Sequence, residues 1–397
     1  MNTEKFNIPL TLQNLQNKIL NLREAGHLEL QNGDTGFANA PSNIALLKYW
    51  GKIPNSNQIP TNSSISYTLN GFRSFTKVVV LGRFFPKDEK NKCPKIQNRM
   101  LLKNEHQEII STEINSKLNN FIDTILSSFA PEIGLHVESQ NFFPTACGIA
   151  SSASGYSALV GAIADLLQLK KHFSKEELQH WLFEWSRLGS GSATRSSLLS
   201  LGKPENELFV AWKLLNEKES YFTKTEPIEV HPNWLNLGHC VFVLDEKEKS
   251  VSSSEGHKSA QTSPLHAIRV ANMPLNFERM CLALKEFDFL TVQNLTEEDA
   301  FAMHAVMQTG DPKALYLTQE VSQILSSFIE KRNKNKWKIF WTLDAGPNLH
   351  FLYQPQDEPF LMEFFIQIEQ QLGIKGKVLK NNLQKESLIL GKCNNEK

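Results

Sequence analysis

Residues Pro144-Thr-Ala-Cys-Gly-Ile-Ala-Ser-Ser-Ala-Ser-Gly155 form a small, serine- and glycine-rich stretch that runs straight into a helical pattern. Beyond Tyr156 the apolar residues Leu159, Val160, Ile163, Leu166 and Leu167 recur at helix spacing. Gly134–Glu138 reads as a short strand leading into the stretch, and an amphipathic helix follows it. The junction gathers bare backbone N–H groups, hydroxyls and a helix N-terminus, an arrangement suited to a polyphosphate. It is not a P-loop or a dinucleotide fingerprint, because no Gly-Lys-Ser/Thr ending and no GxGxxG is present. The same residues also suit a helix start packed closely on a strand.

Three further segments carry chemistry. Lys48-Tyr-Trp-Gly-Lys52 places two lysines beside aromatic rings, fit for a diphosphate or for an ordinary solvated surface. Asn43 lies five residues upstream, able to orient a ligand or cap a turn. Arg187-Leu-Gly-Ser-Gly-Ser-Ala-Thr-Arg195 sets hydroxyls between two arginines and reads as a second anion-friendly loop or a flexible connection. Asp344-Ala-Gly-Pro-Asn348 ends an apolar strand with a carboxylate, in a catalytic or a turn-capping position. Three anion-binding segments and one carboxylate together point to phosphoryl transfer onto an anionic substrate.

The rest of the chain sets limits. With 42 basic and 42 acidic residues there is no global field for nucleic acid or an anionic membrane. Five cysteines, none in a CxxC pair, fit a reducing compartment better than a disulfide framework. The N-terminus lacks a signal pattern and no apolar run reaches membrane length, so a cytoplasmic protein is expected. At 397 residues two domains are the prior.

Mixed strands and helices without regular βαβ alternation predict an α+β fold. Residues 1–35 read as an N-terminal surface extension with a short helix over Phe6–Leu22. A first domain is expected over 36–230 and a second over 231–397. Ser64–Leu69 and Phe75–Leu81 read as two strands, with Asn70-Gly71 as the hairpin turn between them. Lys87–Asn98 reads as an exposed loop. Ser174-Lys-Glu-Glu177 is a capping box. Cys240–Leu244, Lys338–Leu343 and Leu349–Tyr353 read as strands, and Phe360–Leu372 as a helix.

Six segments, in order, resemble one known family. They are Pro41–Lys52, Pro60–Ser66, Asn141–Gly155, Gly189–Arg195, Val251-Ser-Ser-Ser-Glu-Gly256 and Asp344–Asn348. Over about residues 37–375 the chain resembles the diphosphomevalonate decarboxylases of the GHMP kinase superfamily. The resemblance implies a two-domain fold, with an N-terminal domain like ribosomal protein S5 domain 2 and a ferredoxin-like C-terminal domain. It implies ATP and Mg2+ as cofactors, and a homodimer. By the same resemblance Gly148, Ala150, Ser151, Ser152 and Ser154 line the ATP phosphates, Ser152 also serving the metal, and Ser139 and Asn141 fall at the nucleotide. Lys48, Tyr49, Lys52, Ser190, Ser192 and Ser253 match substrate-contacting positions. Arg195 matches the arginine on the substrate carboxylate, Asn43 its positioning asparagine, and Asp344 the catalytic aspartate. The implied reaction is ATP-dependent decarboxylation of mevalonate 5-diphosphate. A monophosphate decarboxylase, a 3-kinase and a non-catalytic binding protein are the alternatives. One departure is Met303-His-Ala-Val-Met-Gln-Thr-Gly-Asp-Pro312, where the family often has a Ser-Trp-Pro-Pro turn.

Overall fold

The computed structural model describes residues 8–54, 56–82, 96–144, 149, 151–197, 208–217, 220–244 and 253–381. In chain order its elements begin α1 (Leu10–Glu24), β1 (Thr35–Leu47), β2 (Ser64–Leu81), β3 (Arg99–Lys103), β4 (Ile109–Ser111), α2 (Ser116–Leu126) and β5 (Gly134–Asn141). Next come α3 (Ser151–Leu166), α4 (Leu169–His172), α5 (Lys175–Gly189), α6 (Thr194–Ser197), β6 (Phe209–Glu217), β7 (Ser220–Pro227) and β8 (Gly238–Val243). The chain finishes with α7 (Ser253–Ser259), α8 (His266–Glu286), α9 (Phe289–Thr309), α10 (Gln319–Asn335), β9 (Ile339–Leu343), β10 (Leu349–Tyr353), α11 (Glu358–Leu372) and β11 (Lys377–Lys380). The α+β expectation holds. Among the described residues no helix is long and apolar enough to cross a membrane.

The described residues divide into two compact units. One falls within Met1–Ser42, Phe72–Pro144 and Ser151–Lys203, the other within Asn43–Gly71, Thr145–Ala150 and Pro204–Lys397. Strands β1 and β2 contribute residues to both.

In the first unit β5 lies between β2 and β3, antiparallel to β2 and parallel to β3, and β4 pairs with β3. Helices α1, α2, α3 and α5 supply the apolar side chains that meet Val78, Val80, Leu135 and Val137 in one core. Burying each large side chain of this kind stabilises the fold by about 1.5–3 kcal/mol. Small residues let α3 sink almost entirely: Ala153, Ser154, Ser157, Ala158, Ala162 and Ala164 are all buried. Gly36 of β1 passes so close that a Cβ there would lie 2.1 Å from the Ala162 carbonyl oxygen. The capping box at the start of α5 is present, the Ser174 hydroxyl accepting from the Glu177 N–H while the Glu177 carboxylate accepts from the Ser174 N–H.

Two expectations about this unit fail. The leader is not a surface extension. Leu12, Leu15 and Ile19 of α1 are buried in the core, and buried Gln16 donates to the Ile125 carbonyl at 3.0 Å while accepting from Trp181 Nε1 at 3.2 Å. Apolar residues three and four apart make one face of α1 a core face. Nor is Arg187–Arg195 a loop. Helix α5 runs to Gly189, a single 3-10 turn spans Gly191–Ala193, and α6 begins at Thr194. Arg187 is buried and paired with Glu184 at 2.5 Å, so its charge is spent inside the unit.

In the second unit β11, β8, β10 and β9 form an antiparallel sheet in that order. With the long helices between β8 and β9, and α11 between β10 and β11, this is the ferredoxin-like arrangement that was expected. The core gathers Cys240, Phe242, Trp341, Leu343, Phe351, Phe328, Phe364 and Phe365. Every residue of β9 and β10 is buried, which explains their continuous apolar sequence. The Leu343–Leu349 pairing closes the sheet immediately before the Asp344 turn.

The hairpin read at Asn70-Gly71 does not exist. β2 is one strand of 18 residues. A two-residue hairpin turn needs left-handed backbone, and Gly71 is not among the positive-φ residues. Instead, Ser64–Tyr67 pair with β6, and Ser74–Leu81 pair with β5. The expected loop at 87–98 falls mostly outside the described residues.

Candidate active site

In the first unit, the N-terminus of α3 stands at Ser151, the half-buried first residue of the helix. Four backbone N–H groups at such an end lack helical partners and favour an anion. Ser152 is exposed, and its hydroxyl lies 3.3 Å from Ser190 Oγ, which in turn lies 3.3 Å from Ser192 Oγ. Thus a hydroxyl of the phosphate-loop motif meets two from the Arg187–Arg195 motif, 38 positions away. The close crossing of α3 and α5 brings this about: a Cβ on Gly189 would lie 2.3 Å from the Tyr156 ring. Ser157 Oγ then ties α3 to the 3-10 turn by donating to the Ala193 carbonyl at 2.6 Å. Arg195, two residues beyond, is buried on α6.

Behind the helix start lies a second hydroxyl cluster. Ser74 Oγ donates to Asn141 Oδ1 at 2.7 Å and is 2.7 Å from Ser154 Oγ. Ser154 is fully buried, so its hydroxyl braces the helix against β2 from inside. Ser139 Oγ is 3.1 Å from Thr76 Oγ1 across the β2–β5 pair. Ser74 and Thr76 sit on an alternating strand where nothing in the sequence distinguishes them. Gly148 and Ala150 lie outside the described residues.

In the second unit, Lys48 follows the end of β1 and Asp344 the end of β9. Lys48 is 1% exposed, and its Nζ donates to Asp344 Oδ1 at 2.6 Å. The Asp344 side chain remains 28% exposed, so the cation is interior and the carboxylate reaches the surface of the unit. Asn43 is buried on the same strand, β1. The turn behind Asp344 is closed by the Gly346 N–H donating to the Asp344 carbonyl at 2.7 Å, and Asn348 Oδ1 accepts from the Leu244 N–H at 2.8 Å.

His304 of α9 is fully buried, and its imidazole is pushed down to about 4, by burial first and then by the Lys48 ammonium. A neutral ring therefore lies in the Lys48–Asp344 environment at neutral pH. The sequence displayed His304 only as part of a divergent segment.

The Tyr49-Trp-Gly51 turn is held by aromatic contacts. Tyr49 packs on Trp212 and His257, with ring centroids 4.8 and 4.2 Å apart, and Trp50 packs on His257 at 4.6 Å. The Gly51 N–H donates to His257 Nδ1 at 3.0 Å. Gly51 has φ +92, and a Cβ there would meet His266 at 2.5 Å, so only glycine suits the turn. Lys52 is half-buried and its carbonyl accepts from Gln261 Nε2 at 2.7 Å. Ser253 opens α7.

The donor set fits the expected groups. Serine hydroxyls are hard oxygen ligands, and Mg2+ takes few protein ligands while keeping phosphate oxygens and water. A helix N-terminus next to those hydroxyls suits the phosphates of a nucleotide.

An α+β unit with a serine-lined helix start, and a ferredoxin-like unit ending a strand in a lysine-paired aspartate, define a protein of the GHMP kinase type. Two family models match the chain, the diphosphomevalonate decarboxylase-like N-terminal domain over residues 40–207 and the mevalonate 5-diphosphate decarboxylase C-terminal domain over 239–395. The chain belongs to the diphosphomevalonate decarboxylase family. The diphosphomevalonate decarboxylase of Debaryomyces hansenii is 33% identical over 332 residues, covering 82% of this chain and 80% of its own. A crystal structure of a mevalonate diphosphate decarboxylase from Legionella pneumophila is 26% identical with a TM-score of 0.70, covering 87% of this chain and 100% of that one. The protein MDDEF, solved in complex with MVAPP, AMPPCP and magnesium, is 28% identical with a TM-score of 0.67, covering 85% of this chain and 93% of that one.

Proposed function

We propose that this chain converts mevalonate 5-diphosphate and ATP to isopentenyl diphosphate, ADP, phosphate and CO2. The observation that carries the reading is the 2.6 Å contact between a buried lysine and a surface-reaching carboxylate at the end of β9. The similarity to MDDEF, solved with MVAPP, AMPPCP and magnesium, supports the choice of substrates and metal.

The tertiary 3-hydroxyl of the substrate is a poor leaving group until it is phosphorylated. Asp344 orients that hydroxyl and accepts its proton, while Lys48 keeps the carboxylate ionised and aimed. A positioned base of this kind contributes about 10²–10⁴-fold. Once phosphate departs, positive charge develops at C3 and the C1 carboxylate is lost as CO2. Arg195 grips that carboxylate, aided by Asn43, until the bond breaks. Tyr49, Lys52, Ser190, Ser192 and Ser253 bind the substrate, and the energy of holding its diphosphate is used to place the reacting end.

The α3 N-terminus, Gly148, Ala150, Ser151 and Ser152 hold the ATP phosphates, with Ser139 and Asn141 at the nucleotide and Ser154 bracing the helix. Ser152 also serves Mg2+, which when bound offsets charge on the phosphates. The ranges 40–207 and 239–395 of the two family models support a domain boundary near residue 230. The free thiols Cys240 and Cys281 support a reducing, cytoplasmic setting. The homodimer rests on the family resemblance alone, and sedimentation tests it.

The deciding experiment incubates the protein with ATP, Mg2+ and either mevalonate 5-diphosphate or mevalonate 5-phosphate, following ADP and CO2 together. Equal ADP and CO2 from the diphosphate is the expected result. ADP without CO2 would make the protein a kinase, and neither product would overturn the reading.

A further inference from the structure

We infer that Arg269 and Asp299 form a positioning clamp, one ion pair gripping the backbone of Lys48 on both sides and so holding its ammonium on Asp344. The inference rests on the roles proposed above for Lys48 and Asp344 and adds two residues that act through the Lys48 backbone.

The geometry is a closed ring. The Lys48 N–H donates to Asp299 Oδ2 at 2.6 Å, and the Lys48 carbonyl accepts from Arg269 Nη2 at 2.9 Å. Arg269 closes the ring with two bonds to Asp299, Nε to Oδ1 at 2.9 Å and Nη2 to Oδ2 at 2.9 Å. Asn62 braces it: its Nδ2 donates to the Lys48 carbonyl at 3.0 Å, and its Oδ1 accepts from Arg269 Nη1 at 3.4 Å. Arg269 is 6% exposed, Asp299 4% and Asn62 4%, so all of this lies inside the unit.

A buried peptide group can be satisfied by neutral partners at less cost. An ion pair taken out of water roughly breaks even against apolar residues of the same volume, so stability does not account for it. What it supplies is direction. Charge-assisted bonds are short and geometrically strict. A lysine ammonium on a flexible four-carbon stem is placed only as well as its Cα is placed. Pinning the peptide groups on both sides of Lys48 fixes where that stem begins.

The test uses the full-length protein carrying Arg269→Met together with Asp299→Leu, which removes both charges and strands neither. Folding is checked by thermal melting and ATP-analogue binding. The expected result is a kcat lowered by up to about 100-fold, the scale of an ångström-level misplacement, with KM for the diphosphate substrate nearly unchanged. The acid limb of the kcat–pH profile should move to higher pH, because a carboxylate whose cation retreats is protonated more easily. A purely structural role would lower the melting temperature without moving that limb.

Asn62→Ala removes one donor to the Lys48 carbonyl with no change in charge. It decides the question if the double variant does not fold. An upward shift of the acid limb supports the clamp, and an unmoved limb overturns it. Lys48→Met and Asp344→Asn run alongside. If these two keep full turnover, the proposed site and the clamp fall together. If they lose turnover while the folded clamp variants match wild type in kcat and acid limb, only the clamp is overturned.

Discussion

Lys48 and Asp344 stand 296 positions apart in the chain and 2.6 Å apart in space. Neither residue alone says much, since surface lysines and turn aspartates are common. Together they make a cation inside the unit and a carboxylate at its edge, a polarity suited to taking a proton from a bound hydroxyl.

Replacing Asp344 by Asn keeps the shape and removes the base. Turnover should fall by at least about 10²–10⁴-fold, while ATP-analogue binding changes little. Coupled ADP and CO2 measurements check this. Near-normal CO2 release from the variant would remove Asp344 from the chemistry.

Arg195→Lys keeps the charge and loses the planar fork. The expected outcome is a kcat loss of about tenfold or more, because the substrate carboxylate is no longer aligned as its bond breaks. Unchanged steady-state kinetics would mean that Arg195 serves another purpose.

His304 ties stability to pH. Its folded value of about 4 lies below the ordinary value of 6.5. Between those two values the unfolded chain binds more protons than the native one, so stability is full above pH 6.5 and drains away as pH falls towards 4. The loss attributable to this ring is about 3 kcal/mol. Urea unfolding at pH 7 and pH 4.5 should therefore show a smaller pH effect in His304→Gln than in the natural chain; equal slopes would refute it.

Gly36→Ala tests the contact of β1 with α3. The new Cβ would sit 2.1 Å from the Ala162 carbonyl oxygen and 2.5 Å from the Leu166 nitrogen, both backbone atoms that cannot swing away. Destabilisation of about 3 kcal/mol is expected, the upper part of the usual overpacking range. Chemical denaturation measures it, and a variant as stable as the parent would show that the helix can retreat freely.

What could be read from the chain was what neighbours dictate. The capping box at Ser174, the apolar face of α3 and the strand ending at Asp344 each declare themselves within one short window. The leader has the polar composition of a surface extension, yet the spacing of Leu12, Leu15 and Ile19 within it already marks a buried face. Asn70-Gly71 fails as a turn for a different reason: a turn dipeptide acts only if its flanks pair with each other, and here each flank found a different strand. The clamp was not legible. Arg269 and Asp299 lie 30 positions apart on charged helices, and Asp299 meets the Lys48 N–H across 251 positions. The Ser152–Ser190 contact depends likewise on a crossing of helices that no local pattern announces.

The unbroken course of β2 has a consequence for how this chain can change. In its second half Ser74, Thr76, Val78 and Val80 are buried, while Phe75, Lys77 and Val79 are only partly so. One residue inserted at the Asn70-Gly71 step would leave Ser64–Tyr67 in phase with β6 and turn the whole second half over. Lys77 would face the core, and Ser74 would leave Asn141 and Ser154. The strand works as a reading frame, in which single-residue insertions and deletions scramble the sense and only changes by two restore it.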